Sequence, residues 1–118
     1  MTRNQGNFKM GTVEMIVLYL LNQQDMYGYQ IVTLIKKLSG GNVEVSVSTL
    51  YPTLYKLLEN KYISDYETII GKRRVRVYYH LEESGIERLE LLLKDYETTT
   101  KGIEMILSTK DIADYIED

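Results

Sequence analysis

Lys72, Arg73, Arg74 and Arg76 crowd into the run GKRRVR, beside a glycine that marks a turn. Cations gathered at a turn suit contact with phosphates, because a turn carries local charge to a point where another backbone can come close. A second set of residues lies upstream in SVSTLYPTLYKLLEN, residues 46–60. At about 100° per residue, Ser48, Thr49, Pro52, Tyr55 and Lys56 fall on one side of a helix, with Tyr51 at the border. Hydroxyls hydrogen-bond phosphates or base edges, a lysine reaches phosphate, and a proline ring or a phenol can meet a thymine methyl. The free N–H groups of a helix N-terminus attract phosphate as well. An ordinary solvated helix face has the same composition. The cationic turn tips the reading toward double-stranded DNA.

Other chemistry finds little support. The chain has no cysteine, which excludes disulfides, thiolate metal sites and a cysteine nucleophile. Its single histidine, His80, falls on the outer face of a strand with no acids at ligand spacing, so no metal is expected. GKRR holds a Gly-Lys pair without the spacing of a phosphate-cradling loop. No nucleophile has a positioned base beside it, and neither enzymatic activity nor a cofactor is expected. No apolar run approaches the roughly 18–20 residues of a membrane span. The opening MTRNQGNFKMGTVEMIVLYLL is broken by Glu14 and lacks a secretory cleavage site. A cytoplasmic protein without membrane association is expected.

The net charge of −3 conceals an asymmetry. Residues 1–45, 46–81 and 82–118 carry +1, +3 and −7. The middle is basic and the tail acidic, and phosphate contacts depend on the local field more than on the total.

The elements that must position these residues are legible in the apolar spacing. Val13, Ile16, Val17, Leu20 and Leu21 mark one face of a first helix, with Met15 and Tyr19 off that stripe. YGYQIVTLIKKL reads as a second helix, with Ile31, Leu34, Ile35 and Leu38 inward and SGGN as its stop. VEV, residues 43–45, alternates as a short strand would. The third helix turns Val47, Leu50, Leu54, Leu57, Leu58 and the stem of Lys61 inward, with Ser46 or Ser48 as its cap. A Ser48 cap would put Pro52 one turn in, where a missing N–H costs least. YISDYETII and RRVRVYYHL then form a hairpin around Gly71-Lys72. Its second strand alternates Val75, Val77, Tyr79 and Leu81 with Arg74, Arg76, Tyr78 and His80. The order is that of a winged helix-turn-helix: mainly α with a small β wing, an α+β architecture.

The last third repeats every seven residues: Ile86, Leu89, Leu93, Tyr96, Thr100, Ile103 and Leu107. A period of about 3.5 marks a helix packed along another helix, and the simplest partner is another copy of the chain. Leu89, Leu93, Tyr96, Thr100, Ile103 and Leu107 are thus candidate dimerisation residues. TTTKG lowers helix propensity midway. Ser108 and Asp111 stand at capping-box spacing ahead of a short acidic segment. The expected division is 1–82 for a DNA-binding domain and 83–118 for a dimerisation helix and acidic tail.

YGYQI (27–31), STLYPTLYKLLENKYI (48–63) and RRVRVYYHLEESG (73–85) resemble the three signatures of PadR-type transcriptional regulators, with the spacing intact from residue 8 to 85. The resemblance implies a winged helix-turn-helix dimerised through a C-terminal helix, and usually a repressor. The single tail helix is similar to the short subgroup, which includes multidrug-responsive repressors. In that subgroup an aromatic residue of the tail helix, typically tryptophan, stacks on flat ligands between subunits. Here there is no tryptophan, and Tyr96 stands at the matching position. By the same resemblance Phe8, Met15, Tyr19, Leu92, Leu93 and Tyr96 are candidates to line a site for a small aromatic effector, although such a stripe also suits a dimer core. Glu82 replaces the family's usual threonine before the last helix, so a different cap is expected there. The competing reading from another class is a winged-helix module that binds protein and not DNA.

Overall fold

The computed structural model describes residues 2–117, with side chains from Gly11 onward. The order is α1 (Thr2–Gln23), β1 (Met26–Tyr27), α2 (Gly28–Leu38), α3 (Val47–Glu59), β2 (Ile63–Ile70), β3 (Arg74–Leu81) and α4 (Glu83–Leu107). A single 3-10 turn, Ile112–Tyr115, follows. The three strands form one antiparallel sheet in the order β1-β3-β2. This is a mainly helical winged helix-turn-helix with a small wing and a long last helix.

The core gathers around α1 and α3. Val17, Leu18, Ile31, Leu50, Leu54 and Leu57 are fully buried, and Ile63, Tyr79, Leu81 and Leu89 join them from the hairpin and α4. Burial of this kind supplies most of the driving force for a domain of this size. Leu38 and Val47, both expected inward, are exposed, as are Val75 and Val77. α2 runs past its last packed residue before Gly40 and Gly41 (φ 64° and 83°) turn the chain. The hairpin likewise projects beyond the helices, so its apolar face is covered only at the base.

The third strand does not come from VEV. Residues 43–45 are irregular; Val45 alone is buried there, while the Ser39 hydroxyl ties both backbone groups of Val43 at 2.9 and 3.1 Å. A single buried plug between two exposed residues mimics alternation. The strand is instead Met26–Tyr27, which takes Tyr27 from the expected start of α2 and pairs Met26 with Tyr79 and Tyr27 with Tyr78. Two residues are too few to show a period.

Ser46 is the cap of α3: its Oγ accepts the Thr49 N–H at 3.2 Å. Pro52 therefore lies deeper in the helix than a Ser48 cap would put it, and has no N–H to offer the Ser48 carbonyl four residues back. Because Ser48 and Pro52 are on the exposed side, water can satisfy that carbonyl. At the other end of the fold, α4 runs through TTTKG without a break. Beyond it the expected Ser108–Asp111 box does not form. Ser108 bonds back to the Met105 carbonyl, and Asp111 caps the 3-10 turn through Ala113 N–H.

α4 is joined to the body at two places. The Arg88 guanidinium donates to both Glu14 carboxylate oxygens, at 3.0 and 3.3 Å. At its start, Glu82 makes no side-chain cap; its carboxylate accepts the Ser64 hydroxyl at 2.5 Å instead, while Ser84 donates to the Lys61 carbonyl. Glu82 N–H also fixes the Tyr62 carbonyl at 2.9 Å. Gly85 must pass that same carbonyl: a Cβ there would come 3.0 Å from the Tyr62 carbonyl carbon and closer still to its oxygen. Gly85→Ala is expected to lower unfolding free energy by about 1–3 kcal/mol, the scale of an overpacked core site. Denaturant titration measures it, and a change within error would show that α4 shifts freely.

Candidate nucleic-acid interface

α3 keeps its leucines inside and turns Ser48, Thr49, Pro52, Tyr55 and Lys56 outward, all exposed. The hydroxyls of its first turn form a short chain, with Ser46 Oγ 2.9 Å from Ser48 Oγ and 3.1 Å from Thr49 Oγ1. Ser48 and Thr49 keep capacity for a further hydrogen bond, since a hydroxyl has one donor and two acceptor positions, whereas Ser46, which also accepts the Thr49 N–H, is fully engaged. Tyr51 is different. Its phenol lies against Gly28 at the start of α2, where a Cβ would stand 2.9 Å from the ring carbon bearing the hydroxyl. The ring is a wedge between α2 and α3, and 36% of it remains accessible.

Of the hairpin cations, Lys72 and Arg73 stand in the turn and are exposed. Gly71 and Arg73 both take positive φ, 61° and 62°, which makes that turn tight. Arg74 and Arg76 face elsewhere. Strand register places Arg74, Arg76, Tyr78 and His80 on one face, with their partners Ile70, Thr68, Tyr66 and Ser64. The opposite face carries Ile63, Tyr79 and Leu81, which are buried against the helices. Arg76 therefore points away from α3, its guanidinium 3.9 Å from the centre of the Tyr27 ring. The ten candidate residues do not form one surface. The outer face of α3 and the exposed wing tip are two parts, and Arg74 and Arg76 lie on the back of the sheet.

That back face holds a cluster with no counterpart in the sequence pattern. Asp25, from the turn between α1 and β1, accepts the Tyr66 hydroxyl at 2.7 Å on Oδ2 and meets His80 Nδ1 at 2.8 Å on Oδ1. Tyr66 stacks on Tyr78 at 5.7 Å, and Tyr27 meets Tyr78 edge-on at 5.5 Å. The hydrogen bond to Asp25 raises the pKa of His80 from its ordinary value. For Asp25, partial burial pushes upward but the bonds from Tyr66 and His80 outweigh it, and the net direction is down. On the inner face, burial lifts the Tyr79 phenol to about 12. His80 does occupy the outer face expected from alternation; its acid arrives from 55 residues away, so no local spacing could announce it. Among the described residues no group of three or more His, Cys, Asp or Glu could hold a metal ion.

The candidate effector residues divide by element. Met15 and Leu92 are half-buried at the core margin, while Tyr19, Leu93 and Tyr96 are exposed. Phe8 lies outside the residues whose side chains are described. Leu93, Tyr96 and Thr100 line an open groove along α4 with Lys94, Glu97, Lys101 and Glu104. Of the dimerisation candidates only Leu89 is buried; Leu93, Tyr96, Ile103 and Leu107 are exposed, and Thr100 is half-buried.

Residues 17–91 match the family model described as "Transcriptional regulator PadR-like family". The chain belongs to this family. It is 33% identical over 88 residues to "Transcriptional regulator YqjI" of Escherichia coli K12, a match covering 75% of this chain and 41% of that protein. The chain thus spans under half the length of that relative. Among solved structures it resembles a transcriptional regulator from Clostridium thermocellum, at TM-score 0.75 and 30% identity over 80% of this chain and 92% of that one. A PadR-like transcriptional regulator from Bacillus cereus gives TM-score 0.72 and 26% identity, over 85% and 95% of the two chains. As a PadR-like protein, the chain shows physical reasons for two signature glycines: Gly28 makes room for the Tyr51 ring, and Gly85 for the Tyr62 carbonyl. Gly28→Ala is expected to lower stability by about 1–3 kcal/mol. A double-mutant cycle with Tyr51→Ala is expected to show coupling above about 0.5 kcal/mol; strict additivity would mean that the ring does not press on this site.

Proposed function

We propose that this PadR-like chain is a DNA-binding regulator, a repressor that works in the cytoplasm as a homodimer on a pseudo-palindromic operator. The observation that carries the reading is the outward face of α3, whose exposed hydroxyls, proline, tyrosine and lysine accompany a hairpin projecting Lys72 and Arg73 past the core. α3 enters a major groove, and the wing tip lies against the neighbouring backbone. Pro52 belongs to the groove-facing side, where a helix surface without a projecting donor approaches the duplex closely. Ser48, Thr49, Tyr55 and Lys56 supply the contacts, and Tyr51 contributes chiefly by fixing α3 on α2. Two copies would read half-sites about one helical turn apart. A protein-binding winged helix would have no need of the cationic tip.

Residues 1–82 act as the DNA-binding unit and 83–118 as the dimerising one. The support is the uncovered part of the seven-residue seam: α1 buries Leu89, but beyond it Leu93, Tyr96, Ile103 and Leu107 lie open. A second copy of α4 presents the same spacing and can cover them. A small aromatic effector would enter where Tyr96 borders the groove of Leu93 and Thr100, near Met15, Tyr19 and Leu92, and release the DNA by altering the dimer.

Lys72→Ala with Arg73→Ala is expected to weaken binding to all duplexes and to lower the log–log salt slope by about two. An unchanged slope, read by fluorescence anisotropy across salt concentrations, would remove the wing tip from the interface. Ile103→Glu, at a position exposed in the single chain, is expected to yield folded monomers in sedimentation. Its operator affinity should fall by about a hundredfold or more as the second half-site contact is lost. A variant that stays dimeric would place the contact elsewhere.

A further inference from the structure

The cluster behind the sheet joins three separate parts of the chain through one carboxylate. Asp25 Oδ1 holds His80 of β3 and Oδ2 holds Tyr66 of β2, at 2.8 and 2.7 Å. Besides this carboxylate, β1 is tied to the hairpin by its two residue pairs and by the Tyr27 ring, and a two-residue strand by itself contributes little. From the brace, ring contacts run toward the wing: Tyr66 on Tyr78, Tyr78 against Tyr27, and Tyr27 under Arg76. The brace therefore acts on the strand that leads to Lys72 and Arg73.

We propose that Asp25 is a positioning residue for DNA binding, which with His80 forms a proton-operated brace holding the wing in its binding orientation. The proposal rests on the reading of the wing as a DNA contact. His80 is faced by Asp25 from the α1–β1 turn, by Tyr66 and Ser64 from β2, and by Tyr27 from β1 across Tyr78. On its own strand Tyr78 and Arg76 share its face, and Glu82 stands at the junction with α4, holding the Ser64 hydroxyl. The carboxylates of Asp25 and Glu82 both favour the imidazolium. Because the folded chain raises the histidine midpoint above its ordinary 6.5, the brace is complete below that pH and weakens as pH rises through the raised midpoint. Because it lowers the Asp25 midpoint below 3.8, acid breaks the brace only as pH falls through that lower value. Wing order and DNA affinity are highest in the window between.

His80 is the only histidine, so its C2 proton gives one unambiguous NMR titration in the full chain. The expected result is a midpoint above 6.5 that drops in Asp25→Asn, with 15N relaxation showing a more mobile wing in that variant. Duplex binding supplies the second arm. Removing an acidic charge should strengthen phosphate binding if only long-range electrostatics mattered. The brace demands the opposite: near pH 6, Asp25→Asn is expected to bind roughly two- to fivefold more weakly, the range of an exposed ion pair. Both Asp25→Asn and His80→Gln should also flatten the pH dependence shown by the parent. Tyr66→Phe, which keeps the ion pair, should retain that dependence. An unmoved histidine midpoint, an unchanged wing, or tighter binding by Asp25→Asn would each overturn the proposal. If the parent ignores duplex DNA at every pH while the NMR shifts occur as expected, the DNA reading fails and the positioning role falls with it, but the brace itself stands.

Discussion

The leucine face of α3 is the constraint on which the rest depends. Leu50, Leu54 and Leu57 are almost completely withdrawn from solvent, and each buried leucine stabilises the fold by about 1.5–3 kcal/mol over an exposed one. Their spacing fixes the rotation of the helix about its axis. Ser48, Thr49, Pro52, Tyr55 and Lys56 must then point outward, because no rotation buries them without exposing the leucines. The proline follows the same logic. It removes a hydrogen bond on the one side of the helix where solvent or a partner can replace it.

The hairpin and α4 are placed relative to that helix by close approaches of backbone and ring. The Tyr51 ring rests on Gly28, and Gly85 passes the carbonyl of Tyr62, which the Glu82 N–H holds in place. These contacts couple α3 to α2 and α4 to the base of β2 with little freedom, since an added methyl group has nowhere to go. The ion pair between Arg88 and Glu14 then sets the direction in which α4 leaves the body. Beyond Leu89 and the half-buried Leu92, the apolar seam residues Leu93, Tyr96, Ile103 and Leu107 are exposed among the described residues. One element thus serves the core with its first turns and carries a continuation of the same stripe out to solvent.

The two faces of the wing divide the labour. Tyr79, Leu81 and Ile63 anchor one face. The other holds an ordered array of tyrosines, Arg76, His80 and Asp25 whose interactions are local and polar. A projecting hairpin has few buried contacts and opens easily, so its orientation depends on what grips its base. The carboxylate of Asp25 grips both long strands there.

The sequence alone determined the helices and the hairpin, because each is written in local periodicity: leucines at helical spacing, alternation in β3, a seven-residue repeat in α4; the family resemblance rests on three short motifs. It also determined which side of α3 faces outward, since that follows from the same spacing. Tertiary structure alone decided that β1 and not VEV is the third strand, that Leu38 and Val47 stay exposed, and that Arg74 and Arg76 turn away from α3. It alone brought Asp25 to His80. The reason is physical: periodicity records which side of an element is apolar, whereas what covers that side, or meets the other, is supplied by residues distant in the chain.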